Sequence, residues 1–258
     1  MKLTRFTSLL AVAAIPCSAH AASYLIDFSR NDNVNGHVTS SPDAFSNHWN
    51  NMAYVPTSGN SVANGLSLTD LVDVDNQSST IDLTLTDTDW QTNGRQNGAL
   101  IAPNGPQQSL LGDFAIETAT EDYFFVNNAS ATLSITGLDP ALTYNFDFFG
   151  SRFQNNGDGD VRTSRYTITD LNGPHFVDLV TTGLNIGSNG IYDGNDDEIV
   201  SLNDMVPTAS GTMEFQLSIV NGGFAYINAM RITSVPEPST VALLGAVAPF
   251  VLRRRRRA

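Results

Sequence analysis

Asp193, Asn195 and Asp197 stand at alternate positions in the stretch DGNDDEIVSLND, and Asp204 closes it at the twelfth. Oxygen side chains alternating along a turn are the donor set of a hard cation such as Ca2+. Glu198 occupies the place where an EF-hand needs glycine, and no helical pattern flanks the stretch. An EF-hand is therefore excluded, and Ca2+ is expected, if anywhere, in an irregular acidic loop built on those four residues. A second acidic turn, NNGDGD at 155–160, has the same character. The other chemistry on offer is recognition of a sugar, which calls for an aromatic face and planar polar groups placed around hydroxyls. Trp49 with its neighbour Asn50, Trp90, and the arginines Arg152 and Arg165 are the candidates. The alternative for the two tryptophans is a place in the core, and for the two arginines neutralisation of nearby aspartates. Catalysis finds no support: no G-x-S-x-G elbow, H-E-x-x-H helix or phosphate loop occurs, and His37, His48 and His175 are scattered.

The segments that carry these residues are bounded by composition. The chain has 258 residues. Lys2 and Arg5, an apolar run from Leu9 to Ile15 and the small-residue stretch CSAHAAS have the order of a secretory signal peptide ending at residue 21. Removing it removes the only cysteine, Cys17, and the only lysine, so the exported body has neither disulfides nor thiol chemistry. Between Ala22 and Ser234 six arginines face 25 acidic residues, a net charge of −19. Such a surface repels nucleic acid and anionic membranes and attracts cations.

The C-terminal segment, residues 235–258, is of a different kind. Val235, Pro236, Glu237 and Pro238 precede an uncharged stretch from Thr240 to Leu252 and then Arg253, Arg254, Arg255, Arg256 and Arg257. The stretch reads as a short transmembrane helix, with the arginines held on the cytoplasmic side. This order resembles the PEP-CTERM sorting tail of Gram-negative bacteria. The resemblance implies transient anchoring in the inner membrane, recognition by an exosortase near Pro236–Pro238, and delivery by the secretion machinery to the cell surface or biofilm matrix.

The body, residues 22–234, reads as one domain of short strands separated by Gly, Asn, Asp and Pro turns. SYLIDF, STIDLTLTD, ATLSIT, LTYNFDFFGSR, SRYTITD, TMEFQLSIV and FAYINAMRIT supply the strands, and only Gln107 to Tyr123 hints at a helix. The pattern predicts an all-β, antiparallel jelly-roll β-sandwich, followed by the short C-terminal hydrophobic helix. The phrases YLIDF, HWNNM, LSITGLDPALTYNFDFFGSR, TSRYTITD and FAYINAMRI also resemble galactose-binding-like and malectin-like modules, which implies carbohydrate binding. The expected function is a non-enzymatic, exported polysaccharide-binding sandwich. The alternatives are a secreted glycan hydrolase or esterase, and a purely structural acidic matrix protein.

Overall fold

A computed structural model describes residues 21–153, 160–188 and 190–236. The signal peptide, the C-terminal apolar helix, Glu237, Pro238 and the arginine cluster Arg253–Arg257 lie outside the described residues. Among the described residues no helix is long and apolar enough to cross a membrane.

The strands are, in chain order, β1 (Ser23–Ser29), β2 (Trp49–Ala53), β3 (Ser67–Leu68), β4 (Asp82–Leu85), β5 (Gln91–Gly94), β6 (Asp122–Asn127) and β7 (Ala131–Thr136). They continue with β8 (Leu142–Phe149), β9 (Arg162–Asp170), β10 (Gly173–Thr182), β11 (Val200–Met205), β12 (Met213–Asn221), β13 (Phe224–Ile227) and β14 (Ala229–Pro236). The helical hint at 107–123 resolves into two single turns, α1 (Gln108–Leu111) and α2 (Glu117–Thr120). Tyr123 already belongs to β6.

Three sheets result. One holds five strands in the order β11-β8-β14-β1-β2, a second holds six in the order β10-β9-β12-β7-β4-β3, and a third is the short ribbon β13-β6-β5. From β7 onward the chain passes repeatedly between the two large sheets, the connectivity of a jelly-roll sandwich. β1 runs antiparallel to β14 and parallel to β2.

Strict alternation explains why these segments are strands. Ala131, Leu133 and Ile135 of β7 are buried while Thr132, Ser134 and Thr136 are half-exposed, the period of a sheet with one dry face. Tyr24, Ile26 and Phe28 of β1, Phe146 and Phe148 of β8, and Phe215 and Leu217 of β12 meet in one core between the large sheets. Phe148 stacks on Tyr166 at 4.9 Å and on Phe215 at 5.3 Å between ring centroids. Aromatic packing of this kind carries a domain that has no covalent staple.

One polar side chain is set into this apolar assembly. Asn228, wholly buried, sits between β13 and β14. Its Nδ2 donates to the carbonyls of Thr120 at 3.1 Å and Asp122 at 2.6 Å, and its Oδ1 accepts from the amide of Ser151 at 2.7 Å. Its own backbone pairs with Phe28 and Phe149. Asn228→Leu keeps the branched shape in a larger side chain, but leaves the Ser151 amide without its acceptor and takes a donor from the Thr120 and Asp122 carbonyls, and is expected to cost roughly 3–5 kcal/mol. Urea unfolding measures this, and an unshifted midpoint would show the amide to be dispensable.

Candidate functional site

The ribbon β13-β6-β5 has two different faces because side chains alternate across it. Phe124 and Val126 of β6, with Ala225 and Ile227 of β13, point into the main core. Tyr123, Phe125, Phe224 and Tyr226 form a separate cluster on the opposite face. The register sets Tyr226 and Gln91 on either side of Phe125, and Asn93 beside Tyr123. Each strand thus contributes to shared cross-strand rows, the unit from which a sheet surface is built.

These rows floor a concave cavity of about 200 Å³. Its walls add Asn60, Asn97 and Asn127, with Arg152 and Arg162. That is below the roughly 300–1,000 Å³ of pockets for drug-sized ligands, and matches a single small ring. The floor is rigid: Tyr123 meets Tyr226 edge-on at 5.1 Å, and Phe224 stacks with Tyr226 at 6.3 Å. The guanidinium of Arg162 lies 4.6 Å from the centre of the Phe224 ring and donates to the Tyr226 hydroxyl. Burial, with the Tyr226 hydroxyl alongside, pushes the Tyr123 phenol well above its ordinary range, against the pull of Arg152 and Arg162. Tyr123 is therefore a neutral hydroxyl, a hydrogen-bonding group and not a base. Among the described residues the lining holds no carboxylate, histidine, serine or cysteine. Stacking surface, amides and guanidinium donors are the groups the cavity presents.

Of the residues singled out in the sequence, Arg152 lines this cavity. Its Nη1 is buried without a hydrogen-bond partner among the described residues. The other four candidates are not among its lining residues. Trp49 is 3% exposed, packs against Phe114, and donates its indole N–H to Asp43 at 2.8 Å. Trp90 is fully buried between Phe124 and Phe215 and donates to the Thr132 carbonyl at 2.9 Å. Neither ring has a face left for a ligand. Asn50 spends its amide on the carbonyls of Leu25 and Val72 and the amide of Val72. Arg165 lies over Phe176 and forms a two-pronged pair with Asp178, whose carboxyl that hydrogen bond holds below the usual range.

The acidic loop is likewise organised for itself. Asn195 is buried: its Nδ2 bonds the carbonyls of Gly150 and Glu198, and its Oδ1 accepts from Asp197 and Glu198. Asp193 accepts the Asn185 amide at 2.7 Å. Asp197 is exposed overall; partial desolvation of its carboxyl and the neighbouring Asp196 charge raise it. Asp204 stands apart in β11 beside Asn145, at a left-handed φ of 60°. Asn195 thus bonds backbone and Asp204 belongs to β11, apart from Asp193 and Asp197. Among the described residues no three carboxylate, histidine or cysteine side chains converge as a metal site.

Comparison with known proteins places these observations in context. No curated protein sequence matches the chain. Among solved structures, TmCBM61 in complex with beta-1,4-galactotriose is similar at 12% identity and a TM-score of 0.29, over 55% of this chain and 86% of that one. A carbohydrate binding module from Cellvibrio mixtus lichenase 5A in complex with cellotriose shares 16% identity at a TM-score of 0.25, over 55% and 94% of the two chains. An F5/8 type C domain from Bacteroides fragilis shares 11% at 0.26, over 58% and 95%. The firm match lies at the other end of the chain: residues 234–257 fit the PEP-CTERM protein-sorting motif.

Proposed function

We propose that this protein is an exported, exosortase-processed surface protein whose sandwich binds polysaccharide without cleaving it. The cavity over β13-β6-β5 carries the reading: aromatic rings, amides and two arginines converge there, and among the described residues no carboxylate, histidine, serine or cysteine lines it. Polysaccharide chains present alternating apolar ring faces and hydroxyls, and those are the two chemistries the cavity offers. Delivery rests on the PEP-CTERM motif. In this reading residues 1–21 direct export and residues 235–258 anchor the chain in the inner membrane of a Gram-negative cell until the exosortase acts. The product resides at the surface or in the extracellular matrix.

β14 extends through Val235 to Pro236, so the first two residues of the sorting segment end a strand. Pro236 has no N–H to continue a ladder, and its ring favours an extended chain that a processing enzyme can grip. Replacing Pro236 and Pro238 by alanine is expected to leave the full-length precursor in the membrane fraction, read by immunoblot. Normal processing would remove the exosortase from the account.

Binding is tested by affinity electrophoresis of residues 22–236 in gels containing galactan, cellulose derivatives or polyuronates. At least one polymer should retard the protein. Arg152→Ala and Phe224→Ala should each weaken retardation by about tenfold, near 1.4 kcal/mol, while Arg165→Ala leaves it unchanged. Free migration in every gel would sink the binding proposal.

A further inference from the structure

The charge of the cavity narrows the chemistry of what it holds. Between Ala22 and Ser234 carboxylates outnumber arginines 25 to six, so an arginine with no acid beside it runs against the supply. Arg30, Arg95, Arg165 and Arg231 each hold a carboxylate oxygen at 2.6 to 2.8 Å. Arg152 holds none among the described residues. It lines the cavity half-buried, and its enclosed Nη1 has no hydrogen-bond partner there. Arg162, the second arginine of the lining, is itself buried. Its guanidinium stands 4.6 Å from the centre of the Phe224 ring and donates to the Tyr226 hydroxyl.

The two positive charges act at one place. Both guanidiniums pull on the Tyr123 phenol, whose ring meets Tyr226 edge-on at 5.1 Å. Like charges gathered over one pair of rings disfavour each other, and a guanidinium taken out of water without an acceptor is costlier still. The charge of a guanidinium is spread over its whole planar group. An anion meeting the part of Arg152 that faces the cavity therefore offsets the enclosed nitrogen as well. No carboxylate of the described lining does so. The aromatic rings and the amides of Gln91 and Asn97 suit a ring face and hydroxyls, but they carry no counter-charge.

We infer that the cavity takes an acidic sugar, a hexuronate unit of a polyuronate chain, with its carboxylate held by Arg152 and Arg162 and its ring over the aromatic floor. The inference rests on the glycan-binding reading above and narrows it to a charged class. A planar carboxylate offers two oxygens to the N–H fork of a guanidinium, the geometry in which such pairs are strongest. The volume of about 200 Å³ is sized for one ring. The body's net charge of −19 opposes an acidic polymer at long range. Exposed charges are largely screened beyond about 8 Å at physiological salt, whereas a partly buried pair is screened much less, so the local arginines decide the outcome.

The test measures binding of the exported protein, at physiological salt, to immobilised polygalacturonate and alginate, each beside the same polymer with its carboxyl groups reduced to alcohols. At least one acidic form should bind about tenfold or more tightly than its reduced counterpart. Arg152→Gln should erase that preference by bringing the acidic form down to the reduced one, and Arg165→Gln should keep it. If Arg152→Gln does not fold, the unmodified protein on the paired polymers still decides. Equal or tighter binding of the reduced polymers overturns the acidic-sugar assignment and leaves the glycan reading standing. Binding to none of the four also overturns it, and the gels of neutral polymers described above then decide the glycan reading alone. Dextran sulfate bound as tightly as the polyuronate would reveal a general anion site and overturn the assignment. A preference lost from Arg165→Gln but kept by Arg152→Gln overturns it as well.

Discussion

Asn228 is the point on which the three sheets depend. The chain must leave the ribbon after β13 and join the five-stranded sheet as β14, and a backbone changing sheets cannot keep its ladder partners. The Asn228 side chain closes the gap, meeting carbonyls at the end of α2 and the start of β6 and an amide just after β8. The position of the ribbon follows from it, and so does the cavity, since Tyr226 stands two residues before Asn228 on the outward face. A buried amide satisfied at both ends specifies one arrangement where an apolar residue would allow several.

Some of this was legible in the sequence and some was not, for identifiable reasons. The strand ATLSIT coincides with β7 because one face is dry and the other wet, so the pattern has contrast. DYFFVN, which became β6, is buried on both faces and therefore shows no alternation. The apolar residues just before it, Leu110, Leu111 and Phe114, are spaced like a helix, but only Leu111 and Phe114 are buried, over single turns beside Trp49 and Phe149, while Leu110 stays exposed. The cavity was invisible because it rests on cross-strand pairing of Gln91, Phe125 and Tyr226, segments far apart in the chain. The tryptophans had the right chemistry in the wrong place: each indole N–H found an internal acceptor, and burial of the ring followed. The sorting segment was legible because its motif is a short contiguous run of residues, 234–257.

The charge distribution has its own logic. In a body without lysine, most of the arginines are committed to defined partners: Arg30 to Asp32, Arg95 to Glu121, Arg165 to Asp178, and Arg231 to Asp113 and Asp147. Arg152 and Arg162 flank the cavity, where Arg162 donates to the Tyr226 hydroxyl. The surplus of carboxylates is spread over turns, where Asp43, Asp73 and Asp193 cap backbone amides. Acidity here shapes loops as much as it charges a surface.

The pairing of β1 with β14 bears on when the molecule acquires its shape. Ala22 bonds Ser234 across 212 positions, and Ser23 meets Thr233 beside it. The strand that completes the five-stranded sheet around β1 is thus made some two hundred residues after it. Contacts this distant in sequence form slowly, because a long loop must close first. A nascent chain therefore stays without its finished sheet until nearly all of the body has been synthesised. The five-stranded sheet is thus a structure that the first and last strands of the body close together, and no part of the chain shorter than the whole body can complete it.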